Sequence, residues 1–148
     1  MKQKQSDSTE QQSVEKIILE ELNIKEGLNL KPTVLSLDDG HKVQLDGYDD
    51  QKNAICEIYA HIGKLKGSQP DKVASDILKM LLVEKELGRE FDKYLCFVSE
   101  EAKSKFAGKS WLALSAKKYD IKVKVVKLPI QEENKILDAQ KRQDITKK

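Results

Sequence analysis

The chain has 148 residues but only two cysteines, Cys56 and Cys96, and it contains no Cys-x-x-Cys or Cys/His spacing typical of a metal site. Each cysteine lies within an apolar, strand-like run, which predicts two buried, reduced thiols in a reducing compartment. Neither cysteine has a histidine in a suitable position, and no G-x-S-x-G sequence occurs, so cysteine and serine nucleophiles are not expected. The absence of G-x-G-x-x-G and P-loop motifs argues against nucleotide cofactors.

Long apolar runs are absent as well. No segment approaches the roughly 20 apolar residues that a membrane-spanning helix requires, and the N-terminus lacks the apolar core of a signal peptide. We therefore expect a cytoplasmic protein that has no membrane partner. The formal net charge of +2 is too small to indicate a nucleic-acid partner by itself.

Apolar residues are concentrated in the middle of the chain, which predicts one packed domain at residues 13–128. Residues 1–12 contain no apolar residue after Met1 and are predicted to form a disordered arm. Residues 129–148 are also polar, and they predict either a loose tail or a peripheral helix.

The hydrophobic periodicity predicts an α/β domain with the element order α-β-β-β-α-β-α-β, in which a mixed sheet is flanked by helices. Short polar turns between the first three strands imply an antiparallel meander. The predicted segments are a helix after Ser13, strands at 33–37, 42–48 and 53–61, a helix at 70–87, a strand at 93–99, a helix bent near Gly108 that ends at about Lys118, and a strand at 121–128.

Two carboxylates stand out in the predicted strands. The period of two places Glu57 in the middle of an otherwise apolar strand, and an unpaired carboxylate is costly to bury. Asp46, near the end of the preceding strand, lies on the opposite phase from Val43 and Leu45. Carboxylates on neighbouring strands can converge on Mg²⁺, which often takes only one or two of them together with water and substrate phosphate.

An Asp late in the second strand and a Glu within the third, in this element order, resemble the PD-(D/E)XK (restriction-endonuclease-like) nuclease core over residues 13–128. The resemblance implies that Asp46 and Glu57 bind Mg²⁺ or Mn²⁺ and that the chain hydrolyses phosphodiester bonds in nucleic acid, with DNA as the expected substrate. It further implies that Glu15 completes the acidic metal site. Gln69 would match a catalytic glutamine that some branches carry early in the next helix.

The chain departs from that family at one position. The family has a Lys two residues after the Glu, where it positions the attacking water, whereas this chain has Tyr59, which cannot supply a cation at neutral pH. Some members take the Lys from the following helix, and Lys72 is the best such replacement here. Lys64 and Lys66 are alternatives, and all three lysines are expected to contact nucleic acid.

Plainer interpretations remain open for the same residues. Asp46 also suits a turn, and Glu57 also suits pairing with a lysine across the sheet. Asp76 and Lys79 are typical of an ordinary helix flank, and Trp111 is typical of a core position or a dimer contact. Two alternatives to a nuclease follow: a catalytically inactive module that binds nucleic acid or a protein partner, and a structural or oligomerisation domain, with a homodimer left open.

Overall fold

The computed structural model describes the backbone of residues 5–146 and the side chains of residues 12–143. These residues form three layers, in which helices cover both faces of one five-stranded sheet. The helices are α1 (Gln5–Glu26), α2 (Gln69–Leu87), α3 (Glu100–Lys103), α4 (Trp111–Lys118) and α5 (Ile130–Thr146), with a 3₁₀ turn at Ser104–Ala107. The strands are β1 (Lys31–Ser36), β2 (Lys42–Asp49), β3 (Ala54–Tyr59), β4 (Asp92–Phe97) and β5 (Ile121–Val125).

The strands lie in the sheet in their sequence order, β1-β2-β3-β4-β5. The predicted antiparallel meander of β1, β2 and β3 is confirmed, and β4 adds parallel to β3 as expected. Local chemistry explains the first turn, because Gly40 adopts a φ of 88° and the Asp39 carboxylate accepts the His41 N–H. β5 is parallel to β4 and occupies the far edge.

Two apolar clusters hold the layers together. On one face of the sheet, α1 and α5 cover alternate residues of β3 and β4, including Cys56 and Cys96. On the other face, α2, α3 and α4 cover Ile55, Leu95 and Phe97. Both cysteines are buried and free, as the sequence predicts. A strand that is covered on both faces has a nearly continuous run of apolar residues. β3 and β4 have this pattern, and almost all of their residues are buried.

The ends of the chain differ from the predicted boundaries. Residues 5–12, predicted to belong to a disordered arm, form the first turns of α1, because no glycine or proline interrupts the helix whose apolar face is anchored from Val14 onward. Residues 1–4 of that predicted arm lie outside the described residues. At the other end the chain forms a helix, α5, whose Ile136 is buried in the cluster with α1.

Three internal boundaries also shift. β3 ends at Tyr59 rather than at 61, because the backbone N–H and C=O of Ile62 bond to the side chain of Gln140 instead of to a strand. The predicted third helix is interrupted at Gly108 as expected, and α4 begins anew where the Ser110 hydroxyl accepts the Ala113 N–H. β5 ends at Val125 rather than at 128.

A β-bulge distorts β2 beside Gly47. The pairing with β1 runs from Lys31↔Tyr48 to Thr33↔Leu45, so β2 carries one extra residue opposite Pro32, which has no N–H to donate. Because of this extra residue, Leu45 packs in the cluster under α2, whereas Gly47 faces α1. The bulge sets the orientation of Asp46, which lies between these two residues.

Replacing Gly47 with alanine should destabilise the fold. A Cβ at this position would lie 2.9 Å from Leu19 Cδ1 and 3.2 Å from the Cβ atoms of Cys56 and Leu30. Overpacking of this kind costs about 1–3 kcal/mol. Gly108→Ala is the matched control, because its Cβ would meet only the Lys105 carbonyl, at an ordinary 3.6 Å. Urea denaturation should show the loss for Gly47→Ala alone, and equal midpoints for the two variants would contradict the bulge geometry.

Candidate active site

The sheet opens between β2 and β3, and the two predicted acids lie at this opening. The β2–β3 ladder ends at the pair Gly47↔Cys56. Beyond it, Asp46 Oδ2 accepts the Ile58 N–H at 2.8 Å, and Glu57 Oε2 accepts the Asp46 N–H at 2.9 Å. Side chains thus replace the ladder hydrogen bonds where the strands diverge, and they fix the two carboxylates next to each other.

A lysine from α2 completes this group. Glu57 is only 1% exposed, and its Oε1 accepts a hydrogen bond from Lys79 Nζ at 2.5 Å. The same ammonium donates to the Gln44 carbonyl at 3.0 Å. The prediction that Lys79 belongs to an ordinary helix flank is therefore wrong. Its spacing of seven residues from Lys72 places both lysines on one side of α2, but this spacing does not decide which of the two reaches the acids.

Lys72, which the sequence favoured as the replacement lysine, pairs with a different carboxylate in the same region. Its ammonium contacts Asp76 Oδ1 at 2.9 Å, one turn further along α2. Asp76 is buried, so the prediction of a solvated flank is wrong for this residue too. Burial lowers the pKa of Lys72, but the hydrogen bond and the charge of Asp76, with smaller contributions from Glu57 and Asp46, raise it overall. Lys72 therefore stays a cation near the two acids.

The neighbouring lysines do not fully compensate the burial of the two carboxylates. Burial, and then the charge of Asp46, raise the pKa of Glu57 to about 7, although the hydrogen bonds from Lys79 and from the Asp46 N–H oppose the shift. Burial likewise raises the pKa of Asp46, against the Ile58 N–H and the charge of Lys79. A further positive charge near this pair, in addition to Lys79 and Lys72, would be stabilised by both acids.

A cleft of about 980 Å³ opens onto this group. It brings together the residues that the sequence singled out, which are Glu15, Asp46, Glu57, Lys64, Lys66, Gln69 and Lys72. Among the side chains of residues 12–143, no three His, Cys, Asp or Glu form a group that could hold a metal ion. Glu15 therefore lines the cleft without forming the three-acid cluster that was expected of it.

The loop between β3 and α2 forms the outer part of the cleft. Gln69 Oε1 accepts the Lys66 N–H at 3.0 Å, and its Nε2 lies 3.2 Å from His61 Nε2. Because its oxygen accepts the Lys66 N–H, the amide nitrogen of Gln69 faces His61, and the side chain links the two ends of the loop.

Tyr59 packs against Phe97. Burial, and then the charge of Asp76, raise the pKa of Tyr59 to about 12, so it is a neutral phenol.

The opposite wall of the cleft comes from α5. The Gln140 side chain accepts the Ile62 N–H at 2.8 Å and donates to the Ile62 carbonyl at 3.3 Å. Lys135 and Gln143 of the same helix also line the cleft. No sequence pattern indicates this wall, because α5 is mostly polar and its contact with Ile62 spans 78 positions.

Comparisons with known proteins found no family model, no curated protein and no solved structure that matches the chain. Within the described residues, no helix is both long enough and apolar enough to cross a membrane. Inferences about function therefore rest on the chemistry of the cleft.

The raised pKa of Glu57 should make folding stability depend on pH. The unfolded chain releases this proton near pH 4.5 and the folded chain near pH 7, so the folded state binds more protons between these values. The free energy of unfolding should therefore fall as pH rises from 4.5 to 7, by up to about 3 kcal/mol.

Glu57→Gln should remove most of this fall and should be more stable than the parent at pH 8. The matched control is Glu84→Gln. Burial of Glu84 is outweighed by its hydrogen bonds to Lys93 and the Phe91 N–H, which lower its pKa, so this variant should keep the parent's fall. Urea melts at several pH values provide the measurement, and equal slopes for the parent and Glu57→Gln would refute the assignment.

Proposed function

We propose that this chain is a metal-dependent nuclease that hydrolyses phosphodiester bonds in nucleic acid, with DNA as the expected substrate. Asp46 and Glu57 would hold Mg²⁺ or Mn²⁺, and Lys79 would take the role of the lysine that Tyr59 displaces. The observation that carries the proposal is the convergence of Asp46, Glu57 and Lys79 at the opening between β2 and β3.

The arrangement of the elements supports this proposal. A helix, an antiparallel three-stranded meander, a second helix and a parallel strand follow one another in the order of the PD-(D/E)XK core. Asp46 lies where β2 leaves β3, and Glu57 lies within β3, as the resemblance requires. The lysine comes from the next helix, α2, which is the route that some members of that superfamily use.

The oxygen donors fit a hard divalent cation. Asp46 Oδ2 is engaged with Ile58, but no hydrogen bond to Oδ1 is formed by the described residues, so this oxygen is available to a ligand. Glu57 Oε1 is held by Lys79, whose partly exposed side chain can move aside. Mg²⁺ often takes only one or two carboxylates and fills its remaining positions with water and phosphate oxygens. Its charge would also offset the repulsion that contributes to the raised pKa of Glu57.

The residues of the chain have distinct roles in this proposal. A bound cation would polarise the phosphoryl oxygen and favour ionisation of water. Lys79, displaced from Glu57 Oε1 by the cation, would donate to the attacking water and would stabilise the negative charge that develops there. Lys64, Lys66 and Lys72 would attract the phosphates of the nucleic acid into the cleft, with Asp76 holding the ammonium of Lys72 in place.

One observation favours a second candidate, a catalytically inactive module that binds nucleic acid. The direct ion pair between Lys79 and Glu57 already compensates one carboxylate without any metal. If this pair is permanent, the acids only support the fold while the lysines of the cleft bind phosphates. The two candidates agree on the ligand and differ in the need for a metal and in cleavage.

Cleavage of labelled single-stranded DNA, duplex DNA and RNA, with millimolar Mg²⁺ or Mn²⁺ or with a chelator, tests the proposal. Cleavage should require the metal, and Asp46→Asn and Glu57→Gln should abolish it together with any metal-induced rise in melting temperature. Lys79→Ala should keep the metal-induced shift but lose at least about 100-fold in rate, a typical effect of removing a group that stabilises developing negative charge. Lys118→Ala is the control, since this exposed lysine lies on α4 and does not line the cleft.

The other outcomes separate the candidates. Binding of nucleic acid without cleavage, weakened when Lys64, Lys66 and Lys72 are replaced by alanine, would favour the inactive module. An absence of cleavage, binding and metal-induced stabilisation would reject both. Cleavage that persists in Asp46→Asn would place the active site elsewhere.

A further inference from the structure

The side of α2 that faces away from the sheet carries an unusual stripe of residues. The inner side of the helix is buried through Val73, Ile77, Met80 and Val83. On the outer side, Leu78 is 68% exposed and Leu82 is 45% exposed. Both leucines belong to a stripe that we call the outer stripe, which consists of Asp71, Ser75, Leu78, Leu82 and Lys85. Its spacing alternates between four and three residues, which is the spacing of a seam between two packed helices.

The ends of the outer stripe carry opposite charges that have no partner among the side chains of residues 12–143. Lys72, Lys79 and Glu84 of α2 all form ion pairs. In contrast, neither Asp71 nor Lys85 makes an ion pair or a side-chain hydrogen bond with any of the residues that the structure describes. Each charge suits its end of the helix dipole, but the dipole does not account for the two leucines exposed between them.

The outer stripe is complementary to itself in one orientation only. Leu78 lies seven residues from Asp71 and seven from Lys85. Two copies of α2 packed antiparallel about an axis at Leu78 would place Asp71 of each copy opposite Lys85 of the other, twice. A parallel arrangement would instead place like charges side by side. The stripe spans about 21 Å at 1.5 Å per residue, so both charge pairs lie at the edges of an apolar centre.

The neighbouring helix α4 also exposes apolar side chains. α4 contacts α2 on the same face of the sheet, and its Trp111 and Leu114 are 68% and 53% exposed. These two residues are three positions apart and so lie on one side of α4. Large exposed apolar side chains are candidates for interaction surfaces, and tryptophan is enriched among the residues that dominate interface energetics.

We propose that the outer stripe of α2 is the interface of a symmetric homodimer in which two copies of α2 pack antiparallel, with exposed residues of the neighbouring α4 available to extend it. The occupant is a second copy of this chain because the two unpaired charges complement each other across a two-fold axis. Lys72 and Lys79 lie on a different side of α2, so the dimer leaves the cleft open. The proposal is independent of the proposed function.

Sedimentation velocity of the full chain over a range of concentrations tests this interface. The parent should sediment as a dimer, and Leu78→Asp should sediment as a folded monomer, because Leu78 is not part of the core. Asp71→Lys and Lys85→Asp should each weaken the dimer by at least about tenfold, since each creates two like-charge contacts. The double variant Asp71→Lys/Lys85→Asp should recover dimerisation.

The double variant makes the test specific. It carries both unfavourable helix-dipole charges, so any recovery relative to the single variants must come from contacts between copies. Glu20→Lys is the control, because this exposed residue lies on α1, which covers the opposite face of the sheet, and its reversal should leave the dimer intact. A monomeric parent, or a dimer that Leu78→Asp does not weaken, would overturn the proposal. Single variants that dissociate without recovery in the double variant would overturn the antiparallel pairing.

Discussion

The burial of the Glu57 carboxylate in the central strand is the constraint on which the arrangement around the cleft depends. A buried charge is tolerated only where hydrogen bonds and opposite charge compensate it. Here the Asp46 N–H and Lys79 supply that compensation. The first requires β2 to diverge from β3 at Asp46, which the bulge beside Gly47 brings about. The contact with Lys79 requires α2 to lie across the sheet in the position along its axis that brings Lys79 to Glu57.

The sequence predicted those features that depend on local periodicity. All five strands and the main helices follow from periods of 2 and 3.6 residues, and the positions of Asp46 and Glu57 follow from the alternation along their strands. Lys79 was missed because Lys72 and Lys79 share one side of α2, and periodicity does not fix how far a helix slides along the sheet. The wall formed by α5 was missed because it depends on a long-range contact of Gln140 with Ile62.

Helix α2 connects the core, the cleft and the proposed dimer interface. Its apolar inner side packs on the sheet, and one flank carries Lys79, which contacts Glu57, and Lys72, which contacts Asp76. Its outer stripe remains exposed. These three sides tolerate substitution differently, because the inner side is limited by packing, the flank by charge compensation and the outer stripe by association. Substitutions on α2 can therefore separate folding, cleft chemistry and dimerisation from one another.

The pKa of the Glu57 carboxyl, measured with and without Mg²⁺, tests the proposed metal site most directly. An NMR titration that follows the side-chain carboxyl carbon of Glu57 would report its pKa in the native protein, with Glu57→Gln used to assign the signal. We expect a midpoint near 7 without metal, compared with an ordinary value of 4.5, and a clear decrease of that midpoint when Mg²⁺ is added. A midpoint near 4.5 that does not respond to Mg²⁺ would contradict the proposed metal site.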